Sequence, residues 1–330
     1  MIIVTGGTGF IGSNLVAGLE AIGAERIVVC DVLGCDDKWR NIAKRGLYNM
    51  IPPSRLMEYL DEHQDEIEII FHMGAISSTT ETDADLIVET NFVLTRTLWN
   101  WCARSGVRFI YASSGSTYGD GTLGFKDLDE PNFLAKLRPL NPYGWSKNLM
   151  DRYASSMVYK EDDRLLPTQW AGLKFFNVYG PNEFHKGDQM SVVCKLYPQV
   201  AAGAAARLFR SYNSKFEDGG QLRDFVYVDD CVAVMLWLYQ NQDVSGLYNV
   251  GSGKARSFKD LAIATFEAVG VPPRISFTDM PEGLKNKYQY FTEADISKLR
   301  AAGYSRPMTE IEDGVRSLVQ KFLTQDDPYR

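Results

Sequence analysis

Short, unbroken apolar runs punctuate the first half of the chain: MIIVT, RIVVCD, EIIFHM, VRFIYAS and WAGLKFFNVYG. Between them lie longer stretches with helical spacing, the first of which, FIGSNLVAGLEAIG, runs to about Gly23. A strand buried on both faces reads as a continuous apolar run instead of an alternating one, and helical spacers between such strands imply parallel, right-handed crossovers. The pattern therefore predicts an α/β fold with a doubly wound parallel sheet over residues 1–180, with later returns near 225–252. Beyond about residue 180 the pattern loosens into loops, with helical stretches near 191–202, 229–240, 257–268 and 309–323. These predict a second, smaller lobe over 181–330, suited to holding a substrate.

Composition narrows the class without changing that picture. With 330 residues, 45% of them apolar and 23% charged, the chain has the make-up of a globular protein with ample length for a core. A formal net charge of −7 argues against non-specific nucleic-acid binding. The five cysteines form no CxxC pair and the three histidines are scattered, so neither a zinc site nor a disulfide framework is expected. Met1 leads straight into an apolar strand with no basic segment before it, and no apolar run reaches ~18 residues. The expectation is a reduced, cytoplasmic protein with no membrane partner.

Chemistry enters with TGGTGFIGS, where Gly6, Gly9 and Gly12 follow a strand and open a helix. Glycines at this spacing permit a tight turn and let backbone N–H groups approach a pyrophosphate at a helix N-terminus, the Rossmann arrangement for a dinucleotide. Asp31, at the end of the next strand, invites a hydrogen bond to an adenosine ribose and favours NAD. Lys38, Arg40 and Arg55 follow, and cations there suit the 2′-phosphate of NADP. The residues alone leave both cofactors open.

Two further motifs supply reactive groups. YASSGSTYG ends an apolar strand, and the carboxyl ends of parallel strands are where ligands bind, which makes Ser114 the candidate for orienting a substrate oxygen, with Ser116 or Thr117 assisting. NPYGWSK places Tyr143 and Lys147 on one helical face behind an Asn–Pro opening. A neighbouring cation favours a phenolate, bringing a phenol that titrates near pH ~10 toward working range. Taken alone, the plainer alternative is a half-buried tyrosine beside a solvated lysine.

Together the TGxxGFIG turn, the strand-end serine and YxxxK resemble the extended short-chain dehydrogenase/reductase family, most of whose members act on nucleotide-linked sugars. The resemblance implies that Tyr143 is the acid/base, that Lys147 lowers its pKa and holds the nicotinamide ribose, and that Ser114 orients substrate. FFNVYGPNEFHKGDQMSVV, RDFVYVDD and YQYFTEADISKLRAAGY, taken in order, are similar to the branch that epimerises ADP-linked heptoses. That likeness implies an isomerase with tightly bound NADP, transient oxidation at C6 of the sugar, Lys186 as a second acid/base, and a homo-oligomer. It further implies that Phe10, Ile11, Val32, Met73, Gly74, Ala75, Ile76, Ser77, Asn91, Val178 and Lys186 lie along the dinucleotide. By the same implication Asn177, Asp188, Ser191, Lys195, Phe209, Arg223 and Tyr288 meet the sugar nucleotide. The sequence departs from the branch after HKG, where it reads DQMSVV, and at Lys195, where a histidine occurs in relatives. Gly115 and Ser116 stand where a 4,6-dehydratase carries an Asp–Glu pair, which disfavours dehydration. A UDP-hexose 4-epimerase, or a non-catalytic dinucleotide sensor, are the remaining alternatives.

Overall fold

The structure is a computed structural model describing residues 1–285 and 288–330. Strands β1 (Ile2–Thr5), β2 (Ile27–Cys30), β3 (Asn49–Ile51), β4 (Ile69–His72), β5 (Arg108–Ser114) and β6 (Trp170–Phe175) come first along the chain. They are followed by β7 (Asn177–Tyr179), β8 (Ala206–Phe209), β9 (Leu222–Tyr227) and β10 (Gly246–Val250). The central sheet has seven strands in the order β10-β6-β5-β4-β1-β2-β3, every neighbouring pair parallel. Each residue of β1, β2, β4 and β6 is buried, which is why these segments read as continuous apolar runs.

Alternate residues of β1 feed opposite faces of the sheet. Ile2 and Val4 pack with helix α1 (Phe10–Ala21), while Ile3 packs with α2 (Leu94–Ser105) and α3 (Pro142–Val158). The face shared with α1 is completed by α5 (Val228–Gln240), which follows α4 (Val192–Ala201) in the chain. Strand order reverses between β1 and β4, and in open parallel sheets a ligand crevice forms outside the strand ends at such a reversal.

One strand expectation is corrected. WAGLKFFNVYG reads as a single run, yet it divides at Phe176 into β6 and β7, which belong to different sheets. The Phe176 amide donates to Val250 and the Val178 amide turns back onto Phe176, at 3.1 and 3.0 Å. Asn177 is the one polar residue at this kink, and apolar neighbours on both sides of it mask the break in the hydropathy pattern.

Outside the central sheet, β7 pairs with β9, which also pairs antiparallel with β11 (Ala255–Ser257), and β8 pairs with β12 (Ile275–Thr278). Helices α4, α6 (Phe258–Val269) and α7 (Ile311–Leu318) pack on these strands and carry the second core. Helix α6 starts with a reciprocal Ser257–Asp260 capping box and stops at Gly270, whose φ of 83° suits a residue without Cβ. Among the described residues no helix is long and apolar enough to cross a membrane.

Candidate active site

A cavity of about 890 Å³ opens where the sheet order reverses, between the glycine turn, the ends of β4 and β5, the start of α3 and the segment that follows β7. Gly6, Gly9, Phe10, Ile11 and Gly12 line one wall, with Asp31, Val32 and Lys38 at one end. Met73, Gly74, Ala75, Ile76 and Ser77 follow β4, and Ser114, Tyr143 and Lys147 form the other end. Asn177, Val178, Lys186 and Ser191 close the cavity from the smaller lobe.

The glycine turn has the shape a dinucleotide requires. Gly6 has a φ of 65°, and a Cβ there would run into the backbone of Gly74; a Cβ on Gly12 would strike the carbonyl of Gly6. Gly9 is the N-cap of α1 and offers no side chain to its first amides, leaving donors and the positive helix end facing the cavity. These features fit a pyrophosphate.

Asp31, expected to meet a ribose, lines the cavity's end and is bonded within the chain. One of its oxygens accepts from the Thr8 amide at 3.0 Å and from the Thr8 hydroxyl; the other accepts from the Val32 amide at 2.7 Å and from Lys38 Nζ at 2.9 Å. These four donors occupy the acceptor sites a carboxylate has, so Asp31 braces the turn and holds Lys38 at the cavity's end. Arg40 and Arg55 do not join it. Arg40 stacks over Tyr329 at 4.4 Å, and Arg55 is an exposed partner of Glu58. Asn91 is fully buried behind the cavity, where its amide bonds both backbone groups of Ile76 at 2.8 and 2.9 Å and reaches Ser146. It shapes the loop that lines the cavity without lining it.

Helix α3 opens as its sequence requires: the Asn141 side chain accepts from the Gly144 amide at 2.8 Å and Pro142 takes the first position, where its missing N–H is not needed. Tyr143 and Lys147 then project from one face, with Asp151 a further turn along. Lys147 is 3% exposed, and burial pulls its pKa down to about 8, against the opposing charge of Asp151. Burial also pushes the Tyr143 phenol up, the facing Ser114 hydroxyl pulling the other way. Burial thus disfavours the charged form of both groups.

Two residues that sequence reasoning missed sit behind this pair. Asp151 and Lys174 form an ion pair with both side chains fully buried, and Asp151 also accepts from Tyr111 at 3.0 Å and Ser113 at 2.7 Å. Lys174 donates in addition to Thr117 Oγ1 at 2.9 Å, which gives Thr117 a scaffolding place beneath Ser114. The signal was a lysine inside the apolar run LKFF and an acid at the next step of the 143–147 spacing.

Lys186 lies half-buried in the turn Phe184–Gln189, its Nζ 4.7 Å from the ring centre of Phe10 and 3.1 Å from the Glu183 carboxylate. Glu183 is buried, and it also accepts from the Gly180 and Ser191 amides at 3.1 and 2.7 Å and from the Cys194 thiol at 3.7 Å. It was not foreseen, although an acid three residues before the lysine was there to read. The remaining candidates stand outside the cavity lining. Lys195 is exposed and donates to the Asp188 carbonyl at 2.6 Å, Phe209 is half-buried in β8, and Arg223 lies 5.0 Å from the ring centre of Tyr288.

The chain matches the model of the NAD dependent epimerase/dehydratase family over residues 2–251. It is 48% identical, across the full length of both chains, to a protein of Fusobacterium nucleatum named ADP-L-glycero-D-manno-heptose-6-epimerase. The crystal structure of the Helicobacter pylori ADP-L-glycero-D-manno-heptose-6-epimerase superposes with a TM-score of 0.75 at 27% identity, covering 96% of this chain and 94% of that one. The UDP-glucose 4-epimerase of Thermus thermophilus, in complex with NAD, gives a TM-score of 0.73 at 26% identity over 96% of each chain.

Proposed function

The chain belongs to the NAD dependent epimerase/dehydratase family, and from that premise we propose that it inverts C6 of an ADP-linked heptose, interconverting the D-glycero and L-glycero forms of ADP-manno-heptose. The observation that carries this reading is the pairing of Tyr143 and Lys186, two ionisable groups on separate elements that line one cavity. An epimerase that passes through a ketone must remove and restore a hydroxyl proton on either of two stereoisomers, whose hydroxyls point in different directions. Two acid/bases contributed to one cavity by separate elements suit that requirement.

The glycine turn, the end of α1 and Lys147 would hold a nicotinamide dinucleotide, which when bound supplies the oxidation of C6 and its reversal. Lys38, held at the cavity's end by Asp31 and by the Val32 carbonyl at 2.9 and 2.7 Å, presents a cation where an adenosine 2′-phosphate would sit, and this supports NADP over NAD. Ser114 would donate to the C6 oxygen. Tyr143 takes or returns the proton of that oxygen in one epimer and Lys186 does so in the other. Asn177 and Ser191 would orient the sugar beside them.

The test is turnover with pure substrates and no added oxidant. The protein is expected to bring either ADP-heptose epimer to the same mixture of both, and to release NADP when denatured. Conversion of a UDP-hexose, with none of the ADP-heptose, would replace this reading with that of a 4-epimerase.

A further inference from the structure

We propose that Tyr329 and Arg330, near the carboxyl-terminal end of the described chain, are positioning residues for Lys186, acting as a strut beneath the turn that carries it; this rests on the reading of Lys186 as an acid/base. The turn is entered through Asn182, which has a φ of 72°, in the left-handed region that few residues other than glycine adopt. Its fully buried side chain is committed on every side. The amide donates to Ser13 Oγ of α1 at 2.9 Å and to the Asn41 carbonyl at 3.3 Å, and its oxygen accepts from the Arg330 amide at 2.9 Å. Three distant segments thus meet at the residue that begins the path to Lys186.

The outer side of the turn rests on the same segment. Phe184 packs edge-on against Tyr329 with ring centres 5.3 Å apart, and Tyr329 is 6% exposed. Arg40 covers the Tyr329 ring at 4.4 Å, Lys44 donates to the Tyr329 carbonyl at 2.7 Å and pairs with Asp327 at 2.9 Å, and Arg330 pairs with Asp229. On the inner side, Asn41 donates both to the Thr8 carbonyl at 2.8 Å and to His185 Nδ1 at 3.1 Å, joining the glycine turn to the residue before Lys186. Burial, with the charges of Lys38 and Lys186, holds His185 down to about 4, so it stays neutral and keeps that nitrogen as an acceptor at ordinary pH.

The ammonium of Lys186 therefore has its place fixed from both sides: by Glu183 and Phe10 within the cavity, and by the strut outside it. A flexible lysine stem carries much rotamer freedom, so a loosened turn lowers the fraction of molecules with the amine in reach of substrate.

The test combines amide exchange with a double-mutant cycle on the purified protein with its dinucleotide bound. Tyr329→Ala is expected to speed exchange of the Lys186 amide, which bonds the Glu183 carbonyl at 2.9 Å, while amides of β1 and β4 stay protected. In single-turnover reduction of the bound dinucleotide, it is expected to slow by about tenfold the epimer that depends on Lys186 and to leave the Tyr143-dependent epimer within about twofold. Tyr329→Phe, which keeps the ring, is expected to behave as the parent. In a Lys186→Met background, Tyr329→Ala is expected to add nothing. Equal slowing of both epimers, or full additivity in the double variant, would overturn the proposal. If Lys186→Met alone has no effect, the acid/base reading fails instead. Should Tyr329→Ala fold poorly, Tyr329→Leu keeps the bulk and is expected to give the same epimer-selective loss.

Discussion

Tyr143→Phe is expected to lower turnover by about 10²–10⁴-fold in both directions, with the dinucleotide still bound. The Ser114 hydroxyl faces the Tyr143 phenol in the cavity, and Phe preserves the ring's packing while removing the proton. Retention of cofactor follows because the glycine turn, Lys38 and Lys147 are untouched. Steady-state rates with each epimer, together with the absorbance of the bound nicotinamide, check both halves of the expectation. A loss of less than about tenfold would remove Tyr143 from the chemistry.

The second large effect belongs to Lys186. Lys186→Met keeps most of the side-chain length but takes away the amine, and with it the contact over Phe10 and the pair with Glu183. Epimerisation is expected to fall by about 10²-fold or more, because each full turnover needs both acid/bases. The loss should be unequal between half-reactions: one epimer still reduces the bound dinucleotide at near the parent rate, and the other does so slowly. A single-turnover experiment with each epimer separates them. Equal, small effects on the two would make Lys186 a surface charge whose 3.1 Å contact with Glu183 is structural only.

The fold was readable where burial imposes a simple pattern. β1, β2, β4 and β6 are buried at every position, so their runs are apolar but for Thr5 and His72 at strand ends and Lys174 within β6, and their parallel pairing follows. Phe176 shows the limit: one polar residue, Asn177, marks the kink between two apolar segments, too little to show in the pattern that the chain changes sheets there. The site was legible where local spacing sets geometry, as for Tyr143 and Lys147 on α3 and for the turn Gly6–Gly12. Long-range partners were not legible. Asp31 carries the acid that suggests a ribose contact, but its four donors come from Thr8, Val32 and Lys38, and only the folded chain brings Thr8 to it. The buried pair Asp151–Lys174 likewise joins α3 to β6, residues 23 positions apart that only the folded chain brings together. Arg223 and Tyr288, assigned to substrate by resemblance, pack on each other outside the cavity lining, a contact set by two segments 65 positions apart in sequence that no local pattern connects.

The central claim is that C6 is oxidised and reduced directly within one closed site. A substrate carrying deuterium at C6, turned over to equilibrium in ordinary water, tests it. In direct oxidation that hydrogen leaves carbon with its electron pair, stays shielded from solvent and returns to the same carbon, so both epimers are expected to keep the label through many turnovers, and product formed in heavy water gains none at C6. Removal of the hydrogen as a proton would place it on groups that exchange with water. Loss of the label, or appearance of solvent deuterium at C6, would contradict the redox route for this chain.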